Sequence, residues 1–154
     1  MPAWAHTPYR QWKVLRERYL LVHSTRSDPA GDELAEALVA VLQRVLPQAN
    51  ALVSRTRDET TLAGLLTTGQ AVLAVLRAAD AQALYRRDGG MLRRLLSIDE
   101  RDLITIESFP RHHGWLVSAA LLENKGSLPI RIPAPGVVPV HPGSKAYAGG
   151  EPLE

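Results

Sequence analysis

The chain has 154 residues, of which 45% are hydrophobic and 22% charged, so it is long enough for one hydrophobic core and too short for two ordinary domains. Fifteen of its eighteen basic residues are arginines, but sixteen carboxylates offset them and the net charge is only +2. The arginines are scattered instead of clustered with aromatic residues, which argues against nucleic-acid binding. Cysteine is absent, which excludes disulfides, thiolate catalysis and cysteine metal ligands.

Residues 1–18 are predicted to form an aromatic and basic arm. Within this arm, Ala3-Trp4-Ala5 has the small-x-small form of a signal-peptide cleavage site, although the usual basic and apolar regions do not precede it. A signal peptide that is trimmed or lies upstream would explain the pattern, and chance would explain it equally well. On the first reading we expect a periplasmic or other extracytoplasmic location.

The hydrophobic pattern of residues 19–126 predicts alternating strands and helices. A buried strand is predicted at Tyr19–Val22, followed by a polar loop at His23–Asp28 and by a helix that begins at Pro29 and ends at Pro47. Asp28 stands where it would cap this helix. The later elements are a strand at 51–53, a helix at 62–66, a strand at 71–76, a short helix through 84–85, strands at 92–98 and 103–106, and a helix from 110 to 124. Whether the last two strands form a hairpin stays open.

This alternation predicts an α/β domain over residues 19–126, with three layers in helix-sheet-helix order and a mostly parallel sheet. Six of the eleven prolines follow Leu128, so residues 127–154 are predicted to be a proline-rich arm without regular structure. Apolar residues such as Val138 and Tyr147 predict that this arm packs on the domain.

Three polar segments are predicted at the carboxyl ends of the parallel strands, which is where ligands bind to open sheets. Each segment supplies an arginine and two add hydroxyl groups, a combination that suits a carboxylate or phosphate. The candidate ligand-binding residues are Ser24, Thr25, Arg26, Ser27, Arg55, Thr56, Arg77 and Asp80. The alternative is that these residues are ordinary helix caps and solvated arginines.

Catalytic and metal-binding motifs are not apparent in the sequence. It contains neither Gly-x-Ser-x-Gly nor a glycine-rich phosphate loop. His112 and His113 are adjacent, so on a helix their side chains diverge by about 100° and cannot readily share a metal ion. We therefore expect a protein that is not an enzyme and that uses no metal or cofactor.

Two segments suggest a family. Thr61–Leu76 resembles the helix-glycine-strand segment of TAXI-type solute-binding proteins, which are extracytoplasmic partners of tripartite (TRAP) transporters. Val138–Tyr147 is similar to the proline-histidine-proline-glycine segment that closes many such proteins, and Trp115–Asn124 to the helix before it. His23–Asp28 stands where the family has a glycine-rich loop, and Val72 where it has an aspartate, so the family's ligand contacts are not carried over.

The resemblance implies one lobe of a type II periplasmic binding protein, since Arg77–Pro110 is too short to hold the second lobe that such proteins insert there. It implies a non-catalytic domain for a small anionic or carboxylate solute, with membrane transporter subunits as possible partners. The alternative is an accessory or assembly protein that binds another protein, or a second copy of itself, through the face left by the missing lobe. A small anion-processing enzyme is a third reading.

Overall fold

The computed structural model describes residues 18–87 and 89–153, so most of the predicted amino-terminal arm lies outside the described residues. The strands are β1 (Leu21–Thr25), β2 (Leu52–Thr56), β3 (Leu73–Arg77), β4 (Leu92–Ile98), β5 (Arg101–Ile106) and β6 (Ile130–Arg131). The helices are α1 (Pro29–Val45), α2 (Glu59–Thr67), α3 (Ala78–Arg87), α4 (Arg111–Glu123) and α5 (Pro142–Ala148). Within the described ranges, every helix is too short or too polar to cross a membrane.

The six strands form one open sheet in the order β2-β1-β3-β5-β4-β6. β1 pairs in parallel with β2 and β3, whereas the β3–β5, β5–β4 and β4–β6 pairings are antiparallel. The α/β class is therefore confirmed, but the expectation of a mostly parallel sheet holds only for the first three strands. The reason is that β4 and β5 form a hairpin around a short turn at 99–100, and a short turn can join only antiparallel strands. Asp99 adopts a left-handed φ of 55° in this turn.

Helices cover both faces of the sheet, because side chains alternate along each strand. Leu73 and Val75 of β3 face the core cluster that contains α1 and α4, whereas Ala74 and Leu76 face the cluster that contains α2 and α3. The sheet thus lies between two helical layers. Each layer contributes helix amino termini to the same edge of the sheet.

Three boundaries near the candidate site differ from the sequence prediction. β1 extends to Thr25, so His23, Ser24 and Thr25 are buried strand residues and not part of a polar loop. Arg55 lies within β2 and not in the polar segment after it, and Arg77 is followed directly by α3 without a loop. Polar side chains fit in these strands because they find partners there, as described below.

The prediction that residues 127–154 lack regular structure was wrong at β6 and α5. Pro142 occupies the first turn of α5, where its missing N–H is no loss. His141 caps this helix, with its Nδ1 accepting a hydrogen bond of 3.0 Å from the backbone N–H of Gly143. Val138 and Val140 are buried, so the segment packs on the rest of the fold.

Candidate functional site

The carboxyl ends of β1, β2 and β3 lie at one edge of the sheet, at Thr25, Thr56 and Arg77. Arg77 is paired with Arg101 across the β3–β5 ladder, which brings the 99–100 turn to the same place. We call this region the carboxyl edge. The helices α1, α2 and α3 also begin at this edge. Seven of the eight predicted site residues are among the last two residues of a strand or belong to the segment that follows it, and the eighth is Asp80 in α3.

The hydroxyl groups of the predicted site are engaged within the fold. Ser24 Oγ donates to Asp32 Oδ1 at 2.7 Å, and Ser27 Oγ donates to Thr25 Oγ1 at 3.1 Å. Thr56 Oγ1 donates to the backbone carbonyl of Ser24 at 3.1 Å. These groups hold the β1–α1 connection in place, so they support the site more than they offer donors to a ligand.

Arg55 is held by two carboxylates of α1. Its Nε lies 2.8 Å from Asp32 Oδ1, and its Nη2 forms a close ion pair with Glu36. The Ser24 hydroxyl, followed by the Arg55 guanidinium, lowers the pKa of Asp32. The positive charge of Arg55 is therefore balanced by the chain itself.

Arg77 reaches a different carboxylate, that of Asp28. Asp28 receives a forked pair of hydrogen bonds from Arg101, with Nε 2.9 Å from Oδ2 and Nη2 2.6 Å from Oδ1. Arg77 Nη2 lies 3.4 Å from the same Oδ1. The Arg101 hydrogen bonds keep the pKa of Asp28 below its usual value. Asp28 stands at the N-cap position, as the sequence predicted, and its carboxylate lies against the backbone of Gly31 in the first turn of α1, where the two guanidinium groups hold it.

Arg26 differs from the other arginines of the carboxyl edge. Its side chain is exposed, and no carboxylate of the described residues lies within ion-pair distance of it. It is near enough to Asp32 to help lower the pKa of that carboxyl group. Its backbone N–H is already bonded to the carbonyl of Thr56 at 2.9 Å, so the guanidinium is the group that it presents to solvent.

Asp80 lies apart from the arginine pairs, in the first turn of α3. It lines a cavity of about 480 Å³ between α2 and α3, together with Glu59. Its Oδ2 is buried and has no hydrogen-bond partner among the described residues. Burial and the charge of Asp80 both raise the pKa of Glu59. Arg87 also lines this cavity, but the two neighbouring carboxyl groups set it apart from the ion pairs described above, so Asp80 does not extend the arginine-rich part of the carboxyl edge.

Sequence reasoning missed the carboxylates that neutralise the predicted arginines. Asp28, Asp32 and Glu36 recur every four residues, which places them along one side of α1 and could have indicated ion pairing. Arg101 gave no such signal, because only the strand register places it beside Arg77.

The carboxyl edge thus combines ion pairs with the exposed guanidinium of Arg26, which has no carboxylate partner among the described residues, and a guanidinium fork suits a carboxylate or phosphate. Over the described ranges, no group of three or more histidine, aspartate or glutamate side chains is arranged to hold a metal ion. No protein-family model matches the chain, and neither a curated protein nor a solved structure matches it.

Proposed function

We propose that this chain is a non-catalytic binding domain that recognises an anionic group, most simply a carboxylate, at its carboxyl edge. In this proposal it works outside the cytoplasm, in the manner of one lobe of a TAXI-type solute-binding protein. The observation that carries the proposal is the exposed guanidinium of Arg26, which stands between β1 and α1 without a carboxylate partner among the described residues.

Arg26 is suited to this role by its surroundings. Its backbone is fixed by the hydrogen bond to Thr56, and the next residue, Ser27, is tied to Thr25. A rigid connection keeps the position of the guanidinium and reduces the entropy lost when a ligand binds. The guanidinium itself offers five donors in a fixed plane, which matches the two oxygens of a carboxylate.

A second candidate function, recognition of a protein partner, is favoured by the charge balance of the same edge. Arg55 is paired with Asp32 and Glu36, and Arg77 and Arg101 share the carboxylate of Asp28. Arg26 is therefore the guanidinium that a small anion meets there without an ion-pair partner among the described residues. Small-molecule sites bury most of their ligand, which one exposed side chain on an open edge cannot do. A partner protein with an acidic residue for Arg26 would supply the missing surface.

The test compares thermal unfolding of the wild type and Arg26→Ala in acetate, succinate, glutamate and phosphate, against chloride at equal ionic strength. Arg44→Ala is the matched control, because it removes an exposed arginine from the last turn of α1, at the end of that helix away from Arg26. We expect at least one of the acids to raise the Tm of the wild type and of Arg44→Ala but not that of Arg26→Ala. An equal response of all three proteins would contradict the role of Arg26. No response to any acid, with an Arg26-dependent complex in gel filtration of a native extract, would favour the protein partner.

A further inference from the structure

We propose that Arg77 and Arg101 form a carboxylate-binding site that Asp28 occupies as an internal ligand, and that a small external carboxylate binds there when Asp28 is removed. This site uses groups other than Arg26, so the inference goes beyond the proposed function and does not depend on it.

The first support is that Asp28 is held as a bound carboxylate would be. Both of its oxygens take part, each receiving a separate N–H of Arg101 at 2.9 and 2.6 Å. Two parallel bonds of this kind are the geometry in which arginine recognises free carboxylates. Arg77 then approaches one of the same oxygens from β3, at 3.4 Å.

The second support is the space around the carboxylate. A Cβ atom on Gly31 would lie 2.3 Å from Asp28 Oδ2 and 3.3 Å from Arg101 Nε. The carboxylate therefore fills a hollow that only glycine leaves open at this point of α1. Removing the Asp28 side chain would leave this hollow with two cationic walls.

The third support is the balance of charge and access. Two guanidinium groups share the single carboxylate of Asp28, while Glu100 reaches Arg101 only at 3.7 Å and is itself 83% exposed. Arg101 is 13% exposed and Asp28 7%, whereas Arg77 is 50% exposed. The site is thus closed around Asp28 and open to solvent beside Arg77, so a carboxylate the size of formate or acetate has a way in.

The experiment uses Asp28→Ser, which keeps a residue that favours the N-cap position but removes the carboxylate. Its matched control is Asp58→Ser, at the N-cap of α2, because the Asp58 carboxylate accepts hydrogen bonds from Thr61 and meets only one N–H of the exposed Arg57, at 3.3 Å, instead of an arginine fork. Both variants and the wild type are titrated with sodium formate and sodium acetate, against sodium chloride at equal ionic strength.

We expect saturating formate to raise the Tm of Asp28→Ser by about 5 °C, and the Tm of the wild type and Asp58→Ser by less than about 1 °C. Adding Arg101→Gln to Asp28→Ser should abolish the response, whereas adding Arg26→Ala should leave it, which separates this site from the one proposed above. A folded Asp28→Ser that responds no more than Asp58→Ser overturns the proposal.

If Asp28→Ser does not fold alone, Asp28→Gly provides a second measurement, the refolding yield with and without formate. A yield that rises with formate, and not with chloride, supports the proposal. Failure of both variants to fold at any formate concentration overturns it, because an external carboxylate would then be unable to replace Asp28.

Discussion

At the scale of single residues, the carboxyl edge is organised by carboxylates that hold arginines. Asp28 binds Arg101 and Arg77, and Asp32 binds Arg55. Because each of these pairs joins α1 to a strand, the same contacts that neutralise the arginines also fix the amino terminus of α1 on the sheet. Arg26 is exposed within this fixed frame, which is why it is the group expected to meet a ligand.

Asp28→Asn should destabilise the fold by about 3 kcal/mol, because it leaves the largely buried guanidinium of Arg101 with only the exposed Glu100, at 3.7 Å, as a counter-charge. Urea unfolding at neutral pH measures this difference. The pKa of Asp28 is lowered in the folded protein, so its contribution is present above the ordinary carboxyl pKa and is lost as the pH falls through the lowered value. A variant as stable as the wild type would show that the Arg101 guanidinium does not need the negative charge of Asp28.

His23 should make the fold sensitive to mild acid. Burial in β1 lowers its pKa from 6.5 to about 4, so the folded protein keeps it neutral while the unfolded chain takes up a proton. Its stabilising contribution is present above the unfolded pKa and is lost as the pH falls toward the folded value. Between about pH 7 and pH 5 the loss should be about 2 kcal/mol.

Urea unfolding of the wild type and His23→Leu over this pH range measures the effect. The variant should lose less stability than the wild type on acidification, by about the amount given for His23. Parallel pH profiles for the two proteins would show that His23 does not set the acid sensitivity.

At the scale of elements, the carboxy-terminal segment is held by a close contact between α5 and α4. A Cβ on Gly143 would lie 2.5 Å from the carbonyl oxygen of Arg111 and 2.6 Å from the backbone nitrogen of Trp115. His141 adds a hydrogen bond from Nε2 to the carbonyl of Phe109 at 2.8 Å, with Nδ1 left to cap α5. Together these contacts turn a proline-rich segment into an ordered part of the fold.

Gly143→Ala should therefore lower the free energy of unfolding by about 2 kcal/mol, because both contacting atoms belong to the backbone of α4 and cannot move aside cheaply. Gly64→Ala is the matched control, since a Cβ there meets nothing within 4 Å on α2 and alanine favours a helix. Thermal unfolding should show a lower Tm for Gly143→Ala and an unchanged or higher Tm for Gly64→Ala. The same Tm for both variants would contradict the close contact of α4 and α5.

The sequence predicted the elements better than their pairing. The stripe of apolar residues in α1, with Leu38 and Leu42 fully buried, was visible as a helical period, and the short run of β3 as a strand. The antiparallel pairing of β5 with β3, which brings Arg101 beside Arg77, depends on strand register, which local patterns do not encode. The candidate arginines were therefore identifiable, but the carboxylates that occupy them were not, apart from the four-residue spacing along α1.

At the scale of the whole molecule, the proposed function places the ligand at an open edge, whereas two-lobed binding proteins enclose a solute between lobes. An open edge binds a free solute weakly unless another surface covers it. The proposed function therefore implies a second surface, supplied by another copy of the chain or by a different protein. Either surface would meet Arg26, whose charge the described residues leave unpaired.

Light scattering after gel filtration should show a dimer, or a stable complex with a partner from a native extract. Arg26→Glu should weaken this association about tenfold, because charge reversal at an interface turns attraction into repulsion. Arg44→Glu, at the other end of α1, should leave it unchanged. A strictly monomeric protein that binds a small solute with micromolar affinity would show that one lobe suffices.

The most direct measurement is a titration of the isotopically labelled protein with glutamate and acetate, followed by backbone amide NMR shifts. If the anion is recognised at Arg26, the amide shifts that reach saturation should cluster at residues 24–32 and at the end of β2. Arg26→Ala should remove these shifts, whereas Arg44→Ala should not. Saturating shifts confined to the cavity between α2 and α3, or unchanged by Arg26→Ala, would contradict anion recognition at the carboxyl edge.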